Sequence, residues 1–445
     1  MKQPFEAAVA LHEGRLAEFT KKSNRTGTFK LVLFALFAVS VFFMLTRWDQ
    51  LGHKLAVGVL LAVQVPAWLY HGRLHQQMAH ATGLIAINRR HLARMAGSWT
   101  EFNATGEGLA GPEHPYGGDL DVVGCESLFQ YLSTAHTWHG RRALAGDLLH
   151  AAYSAPQLTQ RQDACGELAS DLDYTTELEH TYSQIGCNEA ESQLVSELVA
   201  TTPFLRSRAA KVLLRYLPFL VLAFLGLVLL LGWKPLVLTA LCLLLAQTLV
   251  WLGGLLRTNR YLKGLGGLPR KLGAYADVIA MIEARPFTSE RLQQLKATLA
   301  TDGVSAARAI RELARISDMV SARNNPLVWV LLNVLLLWDI RCALRSSDWK
   351  SRYGPHAGEW FRALGEMESL ASLSNLSNVC DHTCYPCFVE QYGVLAEEIG
   401  HPLIQNCRRV TNPLGLRDSI QIISGSNMSG KTTYLRTVGI NVVLA

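Results

Sequence analysis

The residues best suited to chemistry lie in a glycine-rich stretch late in the sequence. This stretch matches the pattern G-x-x-x-x-G-K-[ST] and reads Gly425, Ser426, Asn427, Met428, Ser429, Gly430, Lys431, Thr432 and Thr433. The two glycines let successive backbone N–H groups point at one anion, and a following helix adds the positive end of its dipole. Lys431 would supply a point charge to the β- and γ-phosphates of a nucleotide, and Thr432 would offer its hydroxyl to Mg²⁺. The stretch therefore predicts a site for ATP with Mg²⁺.

A strand and a helix must position this loop. The apolar residues 420–423 precede the loop as a buried strand would, and Leu435, Val438 and Val442 follow it at helical spacing. We therefore expect residues 391–445 to begin an α/β P-loop ATPase domain. Such a domain needs more strands, including an acidic strand that completes the Mg²⁺ site, and none follows before Ala445. We expect the printed chain to be a fragment of a longer ATPase or a truncated reading frame, and its enzymatic activity stays open.

A second group of reactive side chains lies just ahead of this domain. Cys380, Cys384 and Cys387, with His382 between them, have the spacing C-x3-C-x2-C, which can hold an iron–sulfur cluster or a metal ion. The alternative is a short loop without metal, which the position directly before a nucleotide-binding unit favours. The cysteines are mostly scattered along the chain and lie on the predicted cytoplasmic side or in a membrane span, so we predict no disulfides.

Two pairs of apolar runs predict contact with a lipid bilayer. They occupy residues 29–46 and 55–70, and then about 213–232 and 235–255. Each run is about as long as the 17–20 residues that a helix needs to cross a bilayer, and a short break separates the members of each pair. We predict transmembrane helical hairpins at residues 29–72 and 213–255. A further apolar segment at 327–338 is too short to span, so we expect a buried core helix there.

The distribution of charge predicts how these hairpins are oriented. The chain has 42 Lys and Arg against 36 Asp and Glu, and seventeen of the cations lie within residues 21–30, 73–94, 206–215 and 257–271, which contain no acid. These windows flank the outer ends of the hairpins. Because Lys and Arg are enriched on the cytoplasmic side, we predict a multi-pass protein of the inner (cytoplasmic) membrane whose other parts lie in the cytoplasm. The remaining 25 cations face 36 acids, so the basic total mainly reflects orientation in a bilayer.

The rest of the chain is predicted to be mainly α-helical. With 49% hydrophobic and 18% charged residues, the composition excludes a disordered chain. Ile310, Leu313, Ile316 and Val320 recur at intervals of three and four, as on the buried face of a helix. We divide the chain into a basic arm at 1–28, the first hairpin, a linker at 73–115, and a helical core at 116–390 that the second hairpin interrupts.

The glycine-rich loop resembles that of the MutS family of DNA mismatch repair ATPases. The pair Asn427-Met428 and the triplet Tyr434-Leu-Arg436 are typical of that family, whereas transporter-type ATPases of the same superfamily usually carry small residues in the loop. Upstream, Gly400-His-Pro-Leu-Ile404 and Asn412-Pro-Leu414 are similar to the approach to its ATPase domain. Three segments resemble the start of its helical core: Asp119-Leu-Asp121, Ser127-Leu-Phe-Gln130 and Thr137-Trp-His-Gly140-Arg-Arg142-Ala-Leu144.

The resemblance implies a MutS-type helical core followed by an ATPase domain of the ABC superfamily. It also implies binding of ATP and Mg²⁺, binding of double-stranded DNA, and a homodimeric clamp formed through the ATPase domains. The family stacks an aromatic ring on adenine shortly before Asn412, where this chain has Arg409 and Val410, so these residues are expected on the adenine side. An N-terminal Phe-x-Glu mismatch-reading domain is not visible, and transmembrane hairpins are foreign to the soluble repair proteins.

Two other functions remain open. A transporter-class ATPase would also combine membrane spans with a phosphate loop, but the apolar runs carry no internal ionisable residue that would mark a pathway. A non-catalytic membrane scaffold would leave the ATPase unit inert. The acidic balance away from the membrane argues against strong sequence-independent DNA affinity, which depends on Lys and Arg.

Overall fold

The structure is a computed structural model that describes residues 2–445 except 47–50, 112–113, 151, 188–197, 199–202, 232–233, 267, 301–302, 391–392, 418–419 and 427–428. The described residues are mainly helical, which confirms the predicted fold class at that level. The helices are α1 (Lys2–Thr46), α2 (Leu51–Ala96), α3 (Leu128–Leu132), α4 (Trp138–Leu149), α5 (Ala155–Ala169), α6 (Leu172–Ser183), α7 (Arg208–Leu231), α8 (Lys234–Leu262), α9 (Pro269–Ala284), α10 (Glu290–Leu299), α11 (Ala306–Ser321), α12 (Pro326–Leu336), α13 (Trp338–Ser374), α14 (Leu376–Val379) and α15 (Lys431–Leu444). The strands are β1 (Val394–Ile399) and β2 (Asn412–Leu416).

Four of these helices, α1, α2, α7 and α8, are long and apolar enough to cross a membrane. They form two helix pairs at the places where the sequence predicts hairpins. In the first pair, α1 and α2 run antiparallel: Glu13 forms an ion pair with Arg89 at 2.6 Å, and the Lys30 ammonium lies 3.5 Å from the ring centroid of Trp68. Apolar side chains cover the outside of both helices near Thr46 and Leu55, as contact with lipid would require.

The first pair is much longer than its apolar part. Residues 2–28 and 73–96, predicted as an arm and the first part of a linker, continue α1 and α2 as helix, with a 3₁₀ turn at Ser98–Glu101. Leu74, Ala81, Leu84 and His91 are buried at helical spacing, so this stretch has the amphipathic pattern of a packed helix. Residues 73–96 are therefore helical and packed, and we call this part of α2 the stalk helix.

The main hydrophobic core lies mostly in the helical body, by which we mean the described part of residues 116–390 outside α7 and α8. The core also includes Trp251 and Leu262 of α8. Helices α5, α6, α9, α10 and α11 pack around the 37-residue helix α13, which buries Trp349, Trp360 and Phe361. Ile310, Leu313, Ile316 and Val320 of α11 all point into this core, which confirms the periodicity read from the sequence.

A second, smaller core joins the body to the end of the chain. It contains residues of α3 and α4, Trp99, Val379 and Cys380, and it also buries Ile440 of α15. Helix α15 is therefore packed on the body through its apolar side.

Two sequence expectations about apolar segments are wrong. Residues 420–423 do not form a strand, and Ile420 and Ile422 are 93% and 89% exposed. The sheet among the described residues is the antiparallel pair β1–β2, so no parallel neighbour supplies backbone partners for residues 420–423. The apolar segment 327–338 is not a core helix either, because Asn333 is the only buried residue of α12.

Candidate functional site

The glycine-rich loop lies at the N-terminus of α15, as the sequence predicts. Gly430 precedes the helix with φ = 87°, a left-handed conformation that glycine adopts without strain. A Cβ atom on Gly425 would lie 2.7 Å from the Ser429 hydroxyl, so a larger residue there would displace the Ser429 side chain. The Lys431 ammonium donates to the backbone carbonyls of Gly425 and Ser426 and so bridges the loop. Asn427 and Met428 lie outside the described residues.

The first turn of α15 has the features of an anion site. Lys431 is half-buried, whereas Thr432 and Thr433 are exposed. The first N–H groups of a helix have no partner within the helix, and the dipole of this 14-residue helix adds positive potential at the same end. These residues fit the phosphates of a nucleotide, and the exposed Thr432 hydroxyl fits a place beside Mg²⁺.

Helix α15 is tied to the rest of the protein by the residues that follow the loop. The Arg436 guanidinium forms an ion pair with Asp121, which precedes α3. Tyr434 donates its hydroxyl to the carbonyl of Pro413 at 3.2 Å, and the Asn441 side chain donates to the carbonyl of Gly400 at 3.0 Å. The triplet Tyr434-Leu-Arg436 thus connects the phosphate loop both to β2 and to the helical body.

The two residues expected on the adenine side differ in their surroundings. The Arg409 guanidinium donates to the carbonyls of Pro402 and Ile404 at 3.0–3.2 Å and holds the turn before β2 together. These bonds lie in the plane of the guanidinium and support the turn, and they do not by themselves prevent its face from stacking on a base. Val410 is exposed beside it. The adenine-side expectation for Arg409 and Val410 stays a prediction.

The three cysteines whose spacing could hold a metal are not brought together. Cys380 is buried, with its Sγ 3.2 Å from the Tyr131 hydroxyl, whereas Cys384 and Cys387 are exposed. No cluster of three His, Cys, Asp or Glu side chains suited to a metal ion occurs in the part of the chain that the structure describes. Cys380 is turned into the second core, which separates its thiol from the other two.

Sequence reasoning did not identify Glu368, which lies at the junction of α4 and α13. Glu368 of α13 is buried, and its carboxylate accepts from the backbone N–H of His136 at 2.5 Å and from the Thr137 hydroxyl at 2.5 Å. The Thr137 oxygen in turn accepts from the N–H of Gly140 at 2.9 Å and so caps α4. An acid at a core position of an otherwise amphipathic helix is the one sequence signal that could have identified Glu368.

A second buried acid fastens the stalk helix α2 to the body. The Glu179 carboxylate lies 3.3 Å from His136 Nε2, and 3.5 Å from both His91 Nε2 and the Arg90 guanidinium. Burial alone would raise the pKa of Glu179, but hydrogen bonds from His136 and His91 and their positive charge hold that pKa well below its usual range. Glu179 therefore stays ionised at neutral pH.

No known family model matches this chain.

Proposed function

We propose that this protein is a membrane-anchored, MutS-like ATP-binding protein. The observation that carries the proposal is the segment from Gly425 to Thr433. Its glycine-rich part ends at Gly430, and Lys431, Thr432 and Thr433 form the first turn of α15. In this proposal the loop binds the phosphates of ATP, and the hydroxyl of Thr432 faces Mg²⁺. The bound metal ion offsets the negative charge of the phosphates.

The chain's own residues would then do three things. Lys431 exchanges the loop carbonyls for phosphate oxygens, the α15 N-terminus holds the same anion through backbone N–H groups, and Arg436 passes any movement of α15 to Asp121 in the body. Two copies joined through their ATPase units would form a clamp that ATP controls.

The test is nucleotide binding to the full chain in detergent or nanodiscs. We expect Lys431→Ala to weaken MgATP affinity about 100-fold, since a charge-assisted bond to phosphate contributes about 3 kcal/mol. The charge-matched control is Lys263→Ala, at an exposed lysine outside the loop, which should leave the affinity unchanged. Calorimetry measures both affinities, and light scattering on the same samples measures dimerisation. Equal affinities for the wild type and Lys431→Ala would refute the site.

The anchoring proposal rests on the two helix pairs α1–α2 and α7–α8. Both pairs would enter the inner (cytoplasmic) membrane from the cytoplasm and return to it, because the flanking windows carry seventeen cations and no acid. The helical body and the nucleotide site would then lie in the cytoplasm.

Binding of double-stranded DNA by the helical body is part of the same proposal. Beyond the resemblance, its support is an exposed stripe on α11, where Arg308, Arg311 and Arg315 line a cleft of about 530 Å³. Arg311 is partly neutralised by Asp277 at 3.5 Å, so Arg308 and Arg315 carry the argument.

The DNA test is the salt dependence of binding to a duplex without mismatches. We expect Arg308→Ala/Arg315→Ala to reduce the slope of log K against log salt by about 2, at roughly 0.9 for each phosphate that is no longer neutralised. Arg352→Ala/Arg362→Ala, at exposed arginines of α13, is the matched control and should keep the slope. No binding even at low salt would exclude the DNA role and leave a transporter-class ATPase component or an inert scaffold.

A further inference from the structure

Helix α12 presents an apolar surface to its surroundings. Its eleven residues contain no charge, and Leu327 and Leu331 are 84% and 59% exposed, with Val328 and Val330 also exposed beside them. A continuous apolar surface of this kind needs a partner other than water.

This helix lies against the second helix pair. Trp329 of α12 packs edge-on against Trp251 of α8 with ring centroids 5.4 Å apart, and the Gln247 side chain donates to the carbonyl of Val334 at 2.6 Å. Gln247 lies eight residues before Leu255, the inner end of the predicted span, which corresponds to about 12 Å along the helix. Helix α12 is therefore level with the inner part of the apolar belt of α8 and continues it.

Most polar groups around α12 find partners within the protein, as hydrocarbon surroundings demand, although Gln247 Oε1 and the Trp251 indole N–H have none among the described residues. Asn325 caps the helix by accepting from the N–H of Val328 at 3.3 Å. At the other end, Asn333 accepts from the N–H of Asp339 at 2.9 Å, and the bond from Gln247 reaches one of the last carbonyls of the helix. The Asp339 carboxylate is paired with Arg323 at 2.9 Å.

The chain turns sharply at the C-terminus of α12 and returns to the body. Leu337 is fully buried at this corner in the left-handed conformation with φ = 50°, and α13 leaves at 77° to α12. Eleven helical residues reach only about 16 Å, roughly half the thickness of the hydrocarbon core. The short length and the bend fit an element that enters and leaves on the same side.

Three arginines lie on the helices next to α12. Arg341 stacks on Phe219 of α7 with 4.9 Å between its guanidinium carbon and the ring centroid, and Arg215 and Arg345 lie on the neighbouring turns of α7 and α13. Anionic lipid headgroups would complement the charge of these arginines.

We propose that α12 is a re-entrant membrane helix, inserted into the leaflet that faces the helical body, with its exposed leucines and valines among acyl chains. The inference rests on the proposed insertion of α7 and α8, because that pair places α12 at the depth of the bilayer. The protein then holds the membrane through a third contact that is part of the body itself, since α12 continues directly into α13.

The experiment uses the full chain in vesicles of phosphatidylcholine and phosphatidylglycerol. An environment-sensitive fluorescent amino acid replaces Leu331, Leu245 of α8 or Gln294 of α10, one position at a time. Quenching by brominated lipid and by aqueous iodide is then measured. We expect the probe at 331 to be quenched by brominated lipid within about twofold of the probe at 245. The probe at 294 should respond only to iodide.

The other outcomes separate this inference from the membrane proposal. If the probe at 331 responds to iodide while that at 245 responds to brominated lipid, α12 faces water and only this inference is overturned. If the probe at 331 responds to neither quencher, protein such as a second copy covers α12, which also overturns it. If the probe at 245 does not respond to brominated lipid, the insertion of α8 fails and this inference fails with it.

Discussion

His139 illustrates how single residues of the body are tuned by burial. Its ring packs against Phe361 with centroids 5.5 Å apart, and its Nε2 atom is buried with no hydrogen-bond partner among the described residues. Burial, with a smaller effect of the Arg142 charge, lowers the pKa of His139 to about 4. Below the ordinary histidine pKa of 6.5 the unfolded chain therefore binds a proton that the folded protein does not.

The pKa of His139 leads to a pH prediction. Its contribution to stability is present above about pH 6.5 and is lost as the pH falls towards 4. Replacing the ring by His139→Phe should reduce the loss of stability between pH 6.5 and 4.5 by about 2 kcal/mol, at about 1.4 kcal/mol per pKa unit. Denaturant unfolding in detergent at several pH values measures this effect.

The matched control is His150→Phe, which replaces an exposed histidine at the end of α4. It should leave the pH dependence as in the wild type. An unchanged acid sensitivity in His139→Phe would show that the folded protein binds this proton as readily as the unfolded chain does.

At the scale of elements, the close crossing of α4 and α13 depends on glycine. A Cβ atom on Gly140 would collide with the carboxylate of Glu368, and one on Gly365 would lie 2.8 Å from the carbonyl oxygen of His139. The two glycines let the helices approach until Glu368 reaches the N-terminus of α4. The sequence resemblance singled out the Gly140-Arg junction, and the crossing gives a physical reason for the glycine.

We expect Gly140→Ala to destabilise the body by about 2–3 kcal/mol. The added methyl group must displace Glu368, and the Thr137 hydroxyl then loses its buried acceptor. Thermal or denaturant unfolding in detergent measures the change.

Gly146→Ala on the same helix is the control, because nothing lies within 4 Å of its added Cβ atom. It should stabilise the protein by about 0.5–1 kcal/mol, since alanine is the better helix former. Equal effects of the two substitutions would contradict the close crossing.

For the whole molecule, the main question is how the membrane stalk is coupled to the body. Helix α2 reaches α6 through the buried carboxylate of Glu179 and through an exposed pair, in which His80 Nε2 lies 2.6 Å from Glu177. If Glu179 is removed, the cations Arg90 and Arg94 are left near each other without their shared anion.

We expect Glu179→Gln to weaken the packing of the stalk helix on the body by about 3 kcal/mol, because the substitution removes the anion from a buried charge cluster. Hydrogen exchange should rise at residues 84–96 and 172–183 and stay unchanged in α15. Glu177→Gln, on the same helix but in an exposed pair, is the control and should change stability by less than about 1 kcal/mol. A uniform rise in exchange over the whole body would mean that Glu179 supports the fold in general rather than this junction.

The local features of the protein could be predicted from its sequence. The period of the apolar residues in α11, the four long apolar helices and the start of a helix at Lys431 all follow from neighbours within a few positions. Such patterns predict local structure because helical spacing and bilayer thickness act over short segments.

Tertiary structure alone decided the features that join distant segments. Glu368 accepts from the N-cap residue Thr137, which lies 231 positions before it. Arg409 is bonded into a turn, and Cys380 is buried in a core away from the other thiols. The apolar segment α12 has the composition of a core helix, and only its position beside Trp251 and Gln247 reveals a surface that faces outward. Composition records that a side chain is apolar, whereas packing determines whether protein, lipid or water surrounds it.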